Sequence, residues 1–120
     1  GHSSCGAMQS LHSGEPAGPG IDEWLQNAHD SLERFRAGHP VRQAAEEAGF
    51  GAVDQLSMVN IAVQLERLRR HPVVSRAIAE RGLTVSGLFF DIASGRVIEV
   101  GAEGLAHIDE TGKRVSALPA

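Results

Sequence analysis

The sequence contains a single cysteine, no tyrosine and few other aromatic residues, with one Trp and four Phe among 120 residues. One cysteine cannot form an intramolecular disulfide, so nothing suggests a secreted scaffold held together by disulfides. Because aromatic residues make up 4% of the chain, the core must be mainly aliphatic. No apolar run approaches the roughly 20 residues that a helix needs to cross a bilayer. We therefore expect no membrane segment in this chain.

Positive charge is also scarce. The 11 Lys and Arg are outnumbered by 15 Asp and Glu, which gives a net charge of −4. Nucleic-acid binding needs clustered Lys and Arg for the phosphates, so we expect no nucleic-acid partner. A hydrophobic content of 42% and a charged content of 22% are typical of a globular protein. The sequence has no signal peptide and no initiator Met, which predicts a cytoplasmic chain cut from something longer.

Helical periodicity extends over most of the chain. A short helix is predicted over 5–12, followed over 13–20 by a Pro- and Gly-rich connection without helix or strand. Apolar residues at helical spacing then predict four helices, of which the first is N-capped by Asp22 and the longest covers 52–71. The ends of these helices are marked by Pro or Gly residues: Gly38, Pro40, Gly49, Pro72 and Gly82.

A strand pattern replaces the helical one after residue 82. Residues 83–100 are rich in β-branched and aromatic side chains, and Ala93-Ser94-Gly95 divides them into two strands. This pattern predicts a β-hairpin. A weaker pair of strands, 105–110 and 113–118, surrounds Thr111-Gly112 and predicts a second hairpin. The order is therefore helices first and strands last.

The first eight residues, GHSSCGAM, place His2 three residues before the only cysteine, Cys5. Zinc binds imidazole and thiolate ligands in tetrahedral geometry, and one turn of chain would bring both side chains to one ion. A helix N-terminus at Cys5 would favour its thiolate, and Gly6 would allow close backbone approach. The spacing is equally compatible with an inert pair at a loose terminus. It also fits a Cys–His nucleophile, for which no third, orienting group is apparent.

This opening stretch resembles the second zinc motif of β-class carbonic anhydrases, Gly-His-x-x-Cys-Gly. Three later segments, WLQNAHDSLERF, NIAVQLERLRRHPVV and LTVSGLFFDIASGRVIEV, resemble in order the later helices and the C-terminal hairpin of that family. The matching positions include Asn60, 68–72 and 87–97. The resemblance implies an α/β fold in which the hairpin edges a mostly parallel central sheet. It covers most of 1–100, which we assign to the C-terminal part of the family's domain, and leaves 101–120 as an extension with a possible extra hairpin.

What the resemblance implies for function is zinc-dependent, reversible hydration of CO2 to bicarbonate and a proton, a lyase activity. His2 and Cys5 would be two of the zinc ligands, and Gly6 would shape the turn beneath the metal. The family's other Cys ligand belongs to a Cys-x-Asp-Ser-Arg motif that has no counterpart here, and no catalytic residue falls in this segment. We therefore expect the missing ligands to be encoded before Gly1, the segment to be inactive alone, and the complete protein to be a homodimer or higher oligomer.

Two alternatives remain open from the sequence. The stretch VRQAAEEAGFGAVDQLSMV resembles a helix-turn-helix DNA-binding module, although its second helix, 52–62, has no Lys or Arg for base or phosphate contacts. The second alternative is a non-catalytic fragment that only associates with other chains. Zinc content separates this fragment from an enzyme, because a competent site should hold one tightly bound ion per chain.

Overall fold

Six α-helices precede a small β-sheet in this computed structural model, which describes residues 1–115. The helices are α1 (Gly6–Ser13), α2 (Pro19–Leu25), α3 (His29–Arg36), α4 (Pro40–Glu47), α5 (Ala52–Arg70) and α6 (Pro72–Arg81). The strands are β1 (Gly87–Asp91), β2 (Arg96–Val100), β3 (Leu105–Ile108) and β4 (Arg114–Val115). None of the helices within residues 1–115 combines the length and apolarity that a membrane span requires.

Helix α5 is the central element of the core. Helices α1, α3, α4 and α6 contact it, as do strands β1 and β2. Its buried side chains include Leu56, Met58 and Val59. The helix predicted over 52–71 is therefore confirmed, and it ends where Pro72 begins α6, a position that suits proline because the first helical N–H needs no partner. Helix α6 ends at Gly82, as predicted, and this glycine adopts the left-handed conformation.

The burial of α5 bears on the DNA-binding alternative. The second helix of the supposed helix-turn-helix is the first half of α5, where Leu56, Ser57, Met58 and Val59 are all buried in consecutive positions. A recognition helix must present side chains to base edges in a groove. This part of α5 instead packs inside the protein, so the arrangement of α4 and α5 does not form a DNA-reading surface.

The single helix predicted from Asp22 to Gly38 is wrong in two respects. Helix α2 begins earlier, at Pro19, and Asp22 lies inside it, where its carboxylate accepts hydrogen bonds from the backbone N–H groups of Ala17 (2.9 Å) and Gly18 (3.3 Å). A 3₁₀ turn at Gln26–Ala28 then separates α2 from α3. At that turn the Asn27 amide donates to the carbonyl of Trp24 (2.9 Å), a local bond of the kind that competes with helical pairing.

The four strands form one antiparallel sheet in the order β1-β2-β3-β4. The predicted hairpin is confirmed, with Gly95 in the left-handed conformation at its turn. The weaker hairpin is seen as β3 and β4, and the rest of its second predicted strand, 116–118, lies outside the described residues. Within residues 1–115 the parallel pairing is limited to one bridge between His2 and Phe90, so the mostly parallel sheet stays a prediction. The boundary at residue 100 also stays a prediction, and β3 extends the sheet beyond it.

Strand β1 packs on α5 through alternate residues. Phe89 is fully buried, whereas its neighbours Leu88 and Phe90 are 49% and 45% exposed, as the two-residue period of a strand requires. At the start of β1, a Cβ on Gly87 would lie 2.5 Å from Cγ2 of Ile61. Glycine at this position therefore allows the strand to approach the helix closely.

Helix α4 is capped by an imidazole, which gives its stability a pH dependence. Nδ1 of His39 accepts a hydrogen bond from the backbone N–H of Val41 (3.1 Å), which only the unprotonated nitrogen can do. Burial, and secondarily the charge of Arg34, lower the pKa of His39 below its ordinary value, while Glu66 acts weakly in the opposite direction. Because the folded-state pKa is the lower one, this stability is present above the unfolded pKa, about 6.5, and is lost as pH falls through the folded value.

We expect urea midpoints to fall between about pH 7.5 and pH 5 more steeply for the natural chain than for His39→Asn, because asparagine keeps a capping oxygen and does not titrate. Urea unfolding followed by circular dichroism at the two pH values measures the difference. Identical pH dependence in the two proteins would show that the His39 cap does not contribute.

Candidate metal site

The segment Gly1–Ser3 runs parallel to β1 along its free edge. The nitrogen of Gly1 donates to the carbonyl of Leu88 (3.0 Å), the N–H of Phe90 donates to the carbonyl of Gly1 (3.0 Å), and the N–H of Ser3 donates to the carbonyl of Phe90 (2.9 Å). Three backbone hydrogen bonds thus fix the chain on both sides of His2. His2 itself is exposed to solvent at this edge of the sheet.

A turn follows that carries the chain from the sheet edge into α1. Ser3 is buried, and its hydroxyl accepts a hydrogen bond from the backbone N–H of Ile92 (2.9 Å). Ser4 adopts the left-handed conformation with φ of 54°, and its N–H donates to Oδ1 of Asp54 (2.9 Å). Cys5 then stands immediately before the first residue of α1. The two serines and Asp54 were not predicted as part of the site; the only sequence signal was the preference of serine for turns.

The hydrogen bond of His2 determines which ring nitrogen is free. Nδ1 lies 2.9 Å from the carbonyl oxygen of Ser3. A carbonyl oxygen can only accept, so Nδ1 carries the proton and the lone pair of the neutral ring is on Nε2. Histidines that bind metals commonly donate their second ring N–H to a backbone carbonyl in this way. His2 therefore has the tautomer that a metal ligand needs.

Cys5 lies at the N-terminus of α1. It is half-buried against the hydrophobic core and is the residue that precedes α1. The first N–H groups of a helix have no partner within the helix, and together with the helix dipole they attract an anionic group. The side chain of Cys5 makes no hydrogen bond to these N–H groups, and the carboxylate of Asp54 lies close by, on the N–H of Ser4 (2.9 Å).

The donor set fits zinc in kind, and within the described residues it is incomplete. Imidazole and thiolate are both zinc ligands, and zinc sites use three or four protein side chains. Among residues 1–115, no three His, Cys, Asp or Glu side chains lie close enough to hold one metal ion. His2 and Cys5 would hold a zinc ion only together with donors that these residues do not supply, and their role as ligands stays a prediction.

Two other sequence interpretations of this stretch gain no support. Gly6 was predicted to shape the turn, but the left-handed residue of the turn is Ser4, and Gly6 begins α1. A Cβ on Gly6 would meet no atom within 4 Å, so the fold does not require glycine there. A Cys–His nucleophile would need Nε2 of His2, which the Ser3 carbonyl leaves free, to accept a hydrogen bond from the Cys5 thiol, and residues 1–115 show no hydrogen bond between these two side chains.

The residues of this site lie within a match to a known family. The family model described as Carbonic anhydrase matches residues 1–97. The chain belongs to the carbonic anhydrase family. It is 37% identical over 99 residues to a carbonic anhydrase of Pseudomonas aeruginosa, a match that covers 81% of this chain and 42% of that protein. It is 25% identical over 115 residues to a carbonic anhydrase of Synechococcus elongatus, covering 93% of this chain and 39% of that protein.

Solved β-carbonic anhydrases share the fold. One of two tetrameric β-carbonic anhydrases from Sordaria macrospora superposes with a TM-score of 0.64 at 32% identity, covering 83% of this chain and 49% of that one. The β-carbonic anhydrase CcaA superposes with a TM-score of 0.66 at 21% identity, covering 98% of this chain and 52% of that one. The α/β class and the resemblance to β-carbonic anhydrases are therefore confirmed. The chain spans less than half the length of the two carbonic anhydrases from P. aeruginosa and S. elongatus.

Proposed function

We propose that this chain is part of an enzyme that catalyses the reversible hydration of CO2 to bicarbonate and a proton. The observation that carries the proposal is the carbonic anhydrase match over residues 1–97, which includes the segment that contains the two zinc-type donors His2 and Cys5. A bound zinc ion would supply hydroxide at neutral pH by lowering the pKa of its water to about 7.

The chain's own residues prepare the donors for that ion. The Ser3 carbonyl holds the proton of His2 on Nδ1 (2.9 Å) and leaves Nε2 free to bind. The backbone pairing of Gly1–Ser3 with β1 holds the main chain of His2 in place and so limits the positions that the imidazole can take around a metal ion. Cys5 follows the Ser3–Ser4 turn directly and lies half-buried against the core, immediately before α1. These contacts orient two ligands, and they carry no step of the reaction themselves.

We further propose that the 120-residue chain is inactive alone. The described residues provide two zinc donors, and a catalytic zinc needs three protein ligands and an open position. The S. macrospora enzymes that share the fold are tetrameric, so we propose a homodimer or a higher oligomer for the complete protein. A cytoplasmic location stays a prediction.

The experiment compares the 120-residue chain with the full translated product of its gene. Zinc is counted per chain by mass spectrometry of the metal, and CO2 hydration is followed by stopped flow with a pH indicator. We expect about one zinc per chain and catalysis in the full product, and neither in the chain alone. A full product that binds zinc without hydrating CO2 would contradict the proposed activity, and catalysis by the chain alone would contradict its proposed inactivity.

The exposed face of β1 favours a second candidate, a non-catalytic chain that only associates with others. Leu88 and Phe90 of β1 and Ile92 directly after it are 49%, 45% and 59% exposed and present an apolar strip that a partner would cover. The same experiment separates the candidates, because a full product that forms oligomers without zinc and without hydration activity would favour the second.

A further inference from the structure

The turn between the two zinc-type donors contains a backbone conformation that needs outside support. Ser4 is the one residue other than glycine with a positive φ, 54°, within residues 1–115. L-amino acids with a side chain are disfavoured there because their Cβ crowds the backbone. Ser4 lies between His2 and Cys5, so its conformation sets the direction in which the chain leaves one donor and reaches the other.

The support comes from a carboxylate 50 residues away in the sequence. The N–H of Ser4 donates to Oδ1 of Asp54 at 2.9 Å, a bond to a charged acceptor and therefore stronger than a neutral one. Asp54 lies in the first turn of α5, the helix that most of the core packs against. The bond thus joins the turn to the most firmly packed element of the fold.

We propose that Asp54 is a positioning residue for the His2–Cys5 pair. Its carboxylate holds Ser4 in the left-handed conformation and so fixes the path of the chain between the two donors. An effect of Asp54 on zinc affinity rests on the function proposed above. Its effect on the conformation of Ser4 does not depend on that function. Asp54 contacts the backbone of Ser4 and not the reacting groups, so it acts on the site only through the turn.

A simpler role for Asp54 is to stabilise α5, since an acidic residue in the first turn complements the helix dipole. Asp30 likewise lies in the first turn of its helix, α3. Its carboxylate pairs with Arg34 and Arg67 and does not contact the Ser3–Ser4 turn. Asp30→Ala is therefore the matched control for general destabilisation. Asp54→Asn is the conservative variant, since it keeps a side-chain oxygen for Ser4 without the charge.

The first measurement is hydrogen exchange of the Ser4 amide, followed by NMR in the 120-residue chain. Loss of a bond to a charged acceptor should make this exchange at least about tenfold faster in Asp54→Ala. We expect a smaller acceleration in Asp54→Asn, which keeps a neutral acceptor, and little change in Asp30→Ala. Unchanged Ser4 exchange in Asp54→Ala, or equal acceleration in Asp30→Ala, would overturn the proposal.

The second measurement is the zinc affinity of the full translated product. Zinc is removed by titration with a chelator, and His2→Ala serves as the variant that lacks one donor. Outer partners of metal ligands typically change metal affinity by about 10- to 100-fold, so Asp54→Ala should lose its zinc at a chelator concentration at least about tenfold lower. Equal zinc retention in Asp54→Ala and the natural protein would overturn the positioning role. Absence of zinc from the natural full product would count against zinc binding by His2 and Cys5, and Ser4 exchange would then decide the role of Asp54.

Discussion

Replacing either His2 or Cys5 with alanine should remove zinc and CO2 hydration from the full translated product. Because partners outside the ligand shell change affinity or activity by about 10- to 100-fold, loss of a direct ligand should lower CO2 hydration by more than about a hundredfold. Zinc content should fall from about one ion per chain to below about a tenth. Metal analysis and stopped-flow hydration of the purified variants measure both effects.

His12→Ala is the matched control for these substitutions. His12 is an exposed histidine of α1 whose ring packs edge-to-face on Phe35 at 5.8 Å, so its removal perturbs the same helix without touching the donor pair. We expect it to retain zinc and activity. Full zinc occupancy in Cys5→Ala, or equal losses in His12→Ala and His2→Ala, would show that the metal is held elsewhere.

The elements that could be predicted from the sequence are those decided by nearby residues. The apolar stripe of α5 and the Pro72 that follows it lie within one stretch, and so do Ala93-Ser94-Gly95 and the strands they separate. The prediction of one continuous helix from Asp22 was wrong because the side chains of Asp22 and Asn27 form hydrogen bonds with the nearby backbone. Such bonds leave the spacing of apolar residues unchanged, and periodicity alone does not reveal them.

The site was predicted only in part for a similar reason. His2 and Cys5 are recognisable by residue type and by the resemblance to a family. Their supports depend on the folded chain: Ser4 bonds to Asp54 across 50 residues, and the hydroxyl of Ser3 bonds to Ile92 across 89. A sequence pattern contains no information about which distant carboxylate will face a given N–H. Candidate metal ligands are therefore easier to propose from a sequence than the residues that would orient them.

Replacing Phe89 with alanine should destabilise the protein by about 3–5 kcal/mol, the cost typical of removing a buried aromatic ring. Phe89 is fully buried, and its ring packs edge-to-face on Phe50 with centroids 5.7 Å apart. Its neighbour Phe90 is 45% exposed, so Phe90→Ala removes the same side chain from the same strand and should cost less than about 1 kcal/mol. Urea unfolding followed by circular dichroism measures both differences.

The destabilisation caused by Phe89→Ala should also loosen the segment that carries His2 and Cys5. Small domains are stable by only about 5–15 kcal/mol, and β1 carries the hydrogen bonds that hold Gly1–Ser3. Phe89→Ala should therefore speed alkylation of Cys5. If this variant does not fold, Phe89→Leu, expected to cost less than about 1.5 kcal/mol if the neighbouring side chains repack, supplies the same comparison at smaller amplitude. A loss of stability in Phe90→Ala equal to that in Phe89→Ala would mean that the buried face of β1 is not what joins the sheet to α5.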